Sequence, residues 1–188
     1  MDIIDHLAGI APSSPLAALR SIRPQAREQA QASHDALFNA TEHADMSRAE
    51  RFAVATFVAH LHNDAPIAAY YANSITILAP ILATEAAAAQ TQGPYGAYPA
   101  GPLSAENTPG LLWHTTNPAI APRLAAALAH THMLVFHPRD AAPAALQALI
   151  DAGWTTTGIV TLSQLVAFLA FQIRVVTGLR VLAATGVQ

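Results

Sequence analysis

The sequence contains no cysteine. That absence removes thiol nucleophiles, disulfides and thiolate-bound metals from its repertoire. Charge is scarce as well, with 11% of residues Asp, Glu, Lys or Arg against roughly 25% in an average globular domain. The nine Lys and Arg residues are scattered and the formal net charge is −3. There is thus no basic surface to track a phosphate backbone, and no nucleic-acid partner is expected. No Gly-rich phosphate loop follows a strand, and there is no G-x-S-x-G elbow. Clean membrane-spanning runs are missing too. The uncharged stretch Ala65–Thr84 is interrupted by Pro66, Asn73 and Pro80, and Thr155–Ile173 carries Thr155, Thr156, Thr157, Thr161, Ser163 and Gln164. Both are more polar than a lipid-spanning helix, which wants about 20 mostly apolar residues. Met1 to His6 has no basic segment leading into an apolar one, so no secretory leader is expected. These readings predict a soluble, cytoplasmic protein with no membrane partner.

What is present is helix. Just over half of the 188 residues are hydrophobic, at 53%, and much of that is alanine, the best helix former. The length suits a single domain, residues 1–188. Within it the sequence predicts an N-terminal helical segment over 1–45, a core helix pair over 46–84, a Pro/Gly-rich loop over 90–110 and C-terminal helices over 118–180. Pro24 suits the first turn of a helix running to about Asn39. Ser47 and Glu50 have the spacing of a capping box, opening a helix that runs up to His62-Asn63. Asp64 caps the next helix, with Pro66 in its first turn and apolar spacing through Leu78 until Pro80. Later helices are expected after Asn117-Pro118 up to Phe136, from Ala144 to Ala152, and from a cap at Thr156 or Thr157 to an end at Gly178. No convincing strand is found, so the expected class is all-α.

Histidine, carboxylate and tyrosine remain as chemistry-bearing groups. His60, His62 and Asp64 recur with period two. On one helix, residues two apart point about 200° apart and cannot converge on a metal unless the break at Asn63-Asp64 folds them together. His130 and His132 repeat that spacing and meet the same objection, with His137 at the helix end. Capping, exposure or a partner contact is the plainer reading of both clusters, and no metal or other cofactor is expected. Tyr71, next to Tyr70, is either a hydrogen-bonded core aromatic or a pocket acid. Arg174, near the end of an apolar helix, is a charge in need of a partner. The Gln90–Pro109 loop is either a packed connector or a lid.

Ser47-Arg48-Ala49-Glu50-Arg51-Phe52, continuing through His62-Asn63-Asp64 to Tyr71, resembles the alkylhydroperoxidase D/carboxymuconolactone decarboxylase family, most closely its peroxidase-related branch. There a helix opening L-S-x-x-E-R-E runs into N-G-C-x-x-C-x-x-x-H. Laid down without gaps, the two cysteines fall on Asp64 and Ile67, the histidine on Tyr71 and the second glutamate on Phe52. His137-Pro138 through Gly153-Trp154 resembles the family helix ending L-R-x-A-G. Thr155 to Gly178 resembles its long closing helix, with Ile173-Arg174 where Asn-Arg is usual.

The resemblance implies an AhpD-like helical fold that associates through long apolar helices, here Ala65–Leu82 and Thr155–Val176, as a homo-oligomer. It cannot carry over the peroxidase cycle, because a sulfenic acid resolved as a disulfide needs two cysteines. Carboxymuconolactone decarboxylases of this fold work without the pair, by proton transfer on a lactone acid. Three functions follow. The first is a non-redox enzyme acting on a small organic acid or lactone, with His60, His62, Asp64 and Tyr71 as its acid/base pool. The second is a helical scaffold or binding protein that has lost chemistry. The third is an antioxidant role by family label alone. Asp64, used as an N-cap, makes a poor general acid, which leaves histidine to carry protons and tyrosine to support an oxyanion.

Overall fold

The computed structural model describes residues 2–39 and 45–186. Among these described residues nine α-helices carry the fold: α1 (Ile3–Ala8), α2 (Pro15–Ser21), α3 (Pro24–Phe38), α4 (Arg48–Leu61), α5 (Ala65–Ala72), α6 (Ala79–Ala89), α7 (Pro122–Phe136), α8 (Pro143–Asp151) and α9 (Thr156–Ala184). Among the described residues there is no strand, only one isolated bridge between Gly96 and Thr108. The all-α expectation holds. Six of the helices, α2, α3, α5, α6, α7 and α8, take a proline in their first turn, where the missing N–H would have no intrahelical partner anyway.

The capping box at the head of α4 is formed: Ser47 Oγ accepts from Glu50 N, and Glu50 Oε2 accepts from Ser47 N at 2.7 Å. From Arg51 to Ala59, and again at Leu61, α4 is buried on every face, the mark of a helix at the centre of a core. It packs against α5, α6, α7 and α9. Arg51 is itself buried, and it donates to the Met46 and Leu37 carbonyls, fixing the approach from α3. Arg123 joins the far side: it pairs with Glu50 at 2.8 Å, donates to the Asp45 and Gly153 carbonyls, and lies over the Trp154 ring. At the N-terminus, Asp2 and Asp5 hold Arg20 and Arg27, tying α1 to α2 and α3.

Several helix boundaries differ from the sequence reading: α7 starts at Pro122, past Asn117-Pro118, and α9 is capped by Thr155 instead of Thr156 or Thr157. The helix expected to run through Leu78 ends at Ala72, because Asn73 and Ser74, both poor helix formers, turn the chain. Pro80 then opens α6 instead of closing the preceding helix. The last helix does not stop at Gly178 but continues to Ala184. Leu179 is buried, and Arg180 binds Asp64 and the Leu7 carbonyl. Together these outweigh the roughly 1 kcal/mol that a mid-helix glycine costs. By length and composition α9 is apolar enough to cross a membrane, which corrects the sequence reading of Thr155–Ile173 as too polar, and 44% of its most apolar stretch is buried inside the fold.

The Pro/Gly-rich segment runs as a strap from Gln90 to Ala121, with a short 3-10 turn at Pro102–Glu106. Tyr95 N donates to the Phe136 carbonyl at 2.6 Å and Arg139 donates to the Pro94 carbonyl. His137, fully buried, meets the Leu111 carbonyl at 2.7 Å with one ring nitrogen and Asp140 at 3.0 Å with the other. Trp113 packs on Phe57 and His132.

Candidate functional site

The turn between α4 and α5 places the residues singled out by the sequence. His62 ends α4, and Asn63 takes the left-handed conformation (φ 58°) that asparagine tolerates best after glycine. Asp64 N then returns to the Ala59 carbonyl. The chain reverses, and Asp64 caps α5 by accepting from Ile67 N at 3.0 Å.

That geometry separates the four candidates. Asp64 is buried, and its second oxygen pairs with Arg180 at 2.6 Å. Arg180 also donates to the Leu7 carbonyl, so Asp64 ties α5, α9 and α1 together. Tyr71 is completely buried, stacked on Phe38 with Phe52 and Tyr70 around it. Its hydroxyl donates to Gln172 Oε1 at 2.6 Å. Burial pushes the phenol pKa far above its usual range, although the Gln172 bond partly opposes this. His60 is half-buried, and burial lowers its pKa. His62 alone of the four lines a cleft.

The cleft has a volume of about 540 Å³ and lies between the C-terminal ends of α4 and α7, one face of α9, and Thr91–Pro94 of the strap. On α9, Ser163, Ala167, Ala170 and Arg174 line it, spaced to share one helical face. The two alanines leave the hollow unfilled. Leu61, Leu134, Phe136 and Val166 supply apolar wall, and no carboxylate is among the lining residues. His62 and Arg174 are the ionisable pair. Burial holds the His62 pKa below its ordinary value, the Arg174 charge adds to that, and Asp64 partly opposes it. The imidazole is therefore neutral at pH 7. Its Nε2 is closed to solvent and has no hydrogen-bond partner among the described residues. Arg174 is exposed at the edge, and its guanidinium bonds only its own helix, at the Ala170 carbonyl.

The sequence marked His62 as a candidate and Arg174 as an unexplained charge, but gave no sign that α9 brings the two to one cleft. A larger groove of about 720 Å³ lies over α1–α3. Its Asp2, Arg27 and Asp35 side chains are already engaged with neighbouring groups. Two of the remaining candidate histidines are bound into the fold: His132 contacts the Ala89 carbonyl, and His137 clasps the strap. His130 is buried with neither ring nitrogen partnered among the described residues, and nothing in the structure explains it. Among the described residues no three His, Asp or Glu side chains group as metal ligands. Comparison with family models, curated proteins and solved structures gives no match.

Proposed function

We propose that the chain is a thiol-free relative of the alkylhydroperoxidase D/carboxymuconolactone decarboxylase family that catalyses proton transfer on a small organic acid or lactone, with His62 as the base. One observation carries the reading: the His62 imidazole, its pKa held below the ordinary value by burial and by Arg174, lies on the wall of a cleft that no carboxylate lines among the described residues. Such an imidazole is the best proton acceptor available near neutral pH. His62, through Nδ1 since Nε2 is closed off, takes the proton from a carbon next to a carbonyl, the C–H electron pair moves onto the carbonyl as an enolate, and the imidazolium returns the proton to carbon. Asp64 and Tyr71 leave the acid/base pool, because their polar atoms are spent on Ile67, Arg180 and Gln172. The family assignment rests on the helix pair α4–α5, with its capping box and with Asp64 capping the second helix where the family places its first cysteine.

The test is deuterium incorporation at carbons adjacent to carbonyls, followed by NMR in D2O over a panel of short carboxylic acids and lactones. Incorporation should rise with pH to a plateau whose midpoint lies below 6.5, the ordinary histidine value, and His62→Gln should abolish it. Equal incorporation by His62→Gln and the native chain would overturn the assignment. The scaffold reading has its own support. Asp64 and Tyr71 are structural, and α9 leaves Val160, Phe171 and Val181 exposed, an apolar face suited to a second copy of the chain.

A further inference from the structure

We infer that the cleft beside His62 binds an apolar monocarboxylate, its hydrocarbon body against the α7–α9 wall and its carboxylate on Arg174. The inference deepens the reading above and rests on the same cleft. Three observations select this chemistry. The lining is mostly aliphatic or aromatic, through Leu61, Leu134, Phe136, Val166 and Ala170, which favours a hydrocarbon body over a sugar or nucleotide. Arg174 is the lining residue with a permanent charge, and among the described residues it has no carboxylate partner, as Arg23, Arg48, Arg51 and Arg139 have none elsewhere. An unpaired guanidinium at the edge of an apolar cleft suits a carboxylate, which it can hold through two parallel hydrogen bonds.

The third observation limits the ligand to one negative charge. α4 and α7 both end at the cleft, at Leu61 and Phe136, and helix C-termini repel anions. Gln90 and Tyr95 occupy the Leu61 and Phe136 carbonyls and soften that field. A dianionic phosphate would still meet it with only one arginine to offset it. A carboxylate at Arg174, at the cleft's exposed edge, meets it least.

The probe is octanoate, titrated into the native chain by isothermal calorimetry and ¹H–¹⁵N NMR, with 1-octanol, octylamine and octyl phosphate as comparators. Octanoate should bind saturably and at least tenfold more tightly than each comparator. Arg174→Gln should weaken octanoate about tenfold and leave 1-octanol unchanged, and Arg174→Lys should keep most of the affinity. Ala170→Leu should abolish binding of both, since the added side chain fills the hollow. Circular dichroism identical to the native chain shows that each variant folds. Tighter binding of octyl phosphate, equal binding of 1-octanol, or octanoate binding indifferent to Arg174→Gln or Ala170→Leu would overturn the inference. Octanoate binding without His62-dependent exchange would leave it standing and remove the proton-transfer reading. Exchange that needs His62 and is indifferent to Arg174→Gln would do the reverse.

Discussion

Replacing Tyr71 by phenylalanine tests whether this tyrosine is a structural group. The phenol is fully buried, and its hydroxyl donates to Gln172 Oε1 at 2.6 Å in the core between α5 and α9. Removing that oxygen loses a bond worth about 1 kcal/mol net and strands a buried amide oxygen, at a further cost of about 1–2 kcal/mol. Gln172 Nε2 already lacks a partner among the described residues, so the whole carboxamide would be left without one. The expected loss is about 2–3 kcal/mol, read as a lower midpoint in urea with an unchanged slope. Replacing both partners, Tyr71→Phe with Gln172→Leu, removes the stranded group and should recover at least half of that loss. Proton-transfer activity, measured on the folded fraction, should be unaffected, because Tyr71 does not line the cleft. A single variant as stable as the native chain, or one that keeps its stability but loses activity, would refute this account.

Stability should fall on acidification from pH 7.5 to 5.5. Burial lowers the pKa of His34, His60, His62, His130 and His132 from 6.5, so below about that pH the unfolded chain binds more protons than the native one. The stabilisation is complete above 6.5 and shrinks as pH falls toward the folded-state values, and urea midpoints that stay level or rise would contradict it. Gly110→Ala should loosen the strap, since a Cβ there would run into the Tyr95 ring at a φ of +57°. Limited proteolysis should then cut faster between Gln90 and Ala121, and an unchanged cleavage rate would count against the pinning described above. Sedimentation should find an oligomer at micromolar concentration, with Val160→Glu or Phe171→Glu shifting it toward monomer, and a monomeric native chain would end the self-association proposal. No sustained peroxide loss should occur with a dithiol donor, because the chain has no cysteine to cycle.

The starts of α3, α4 and α5 were the most legible part of the fold, because Pro24, the Ser47–Glu50 pair and Asp64 with Pro66 carry local rules that packing did not override. Pro80, by contrast, reads as a stop and opens α6. Helix ends were less so. Ile75 and Leu78 keep helical spacing past the true end at Ala72, and Gly178 looks like a stop but lies inside α9. The first is settled locally by Asn73 and Ser74, the second by the tertiary contacts of Leu179 and Arg180. The site divides in the same way. Helical geometry alone said that His60 and His62 point apart, and only His62 reaches the cleft. The resemblance directed attention to Asp64 and Tyr71, positions that here serve the fold. The partner of His62 lies more than a hundred residues further on, and the only local trace of it was an arginine with nothing to pair with.

The bond from Arg180 to the Leu7 carbonyl joins positions 173 residues apart, and the pair with Asp64 spans 116. At about 5–20 residues per second on the ribosome, Leu7 is made about 9–35 s before its partner. Through that interval α1 and the head of α5 lack the helix they pack against, while α4, α5 and α6 can already assemble locally. Nascent chains arrested before residue 180 should therefore leave Ile3 and Ile4 uncovered, open to chaperones and to one another. Assembly at these positions is limited by synthesis and not by the intrinsic speed of helix packing.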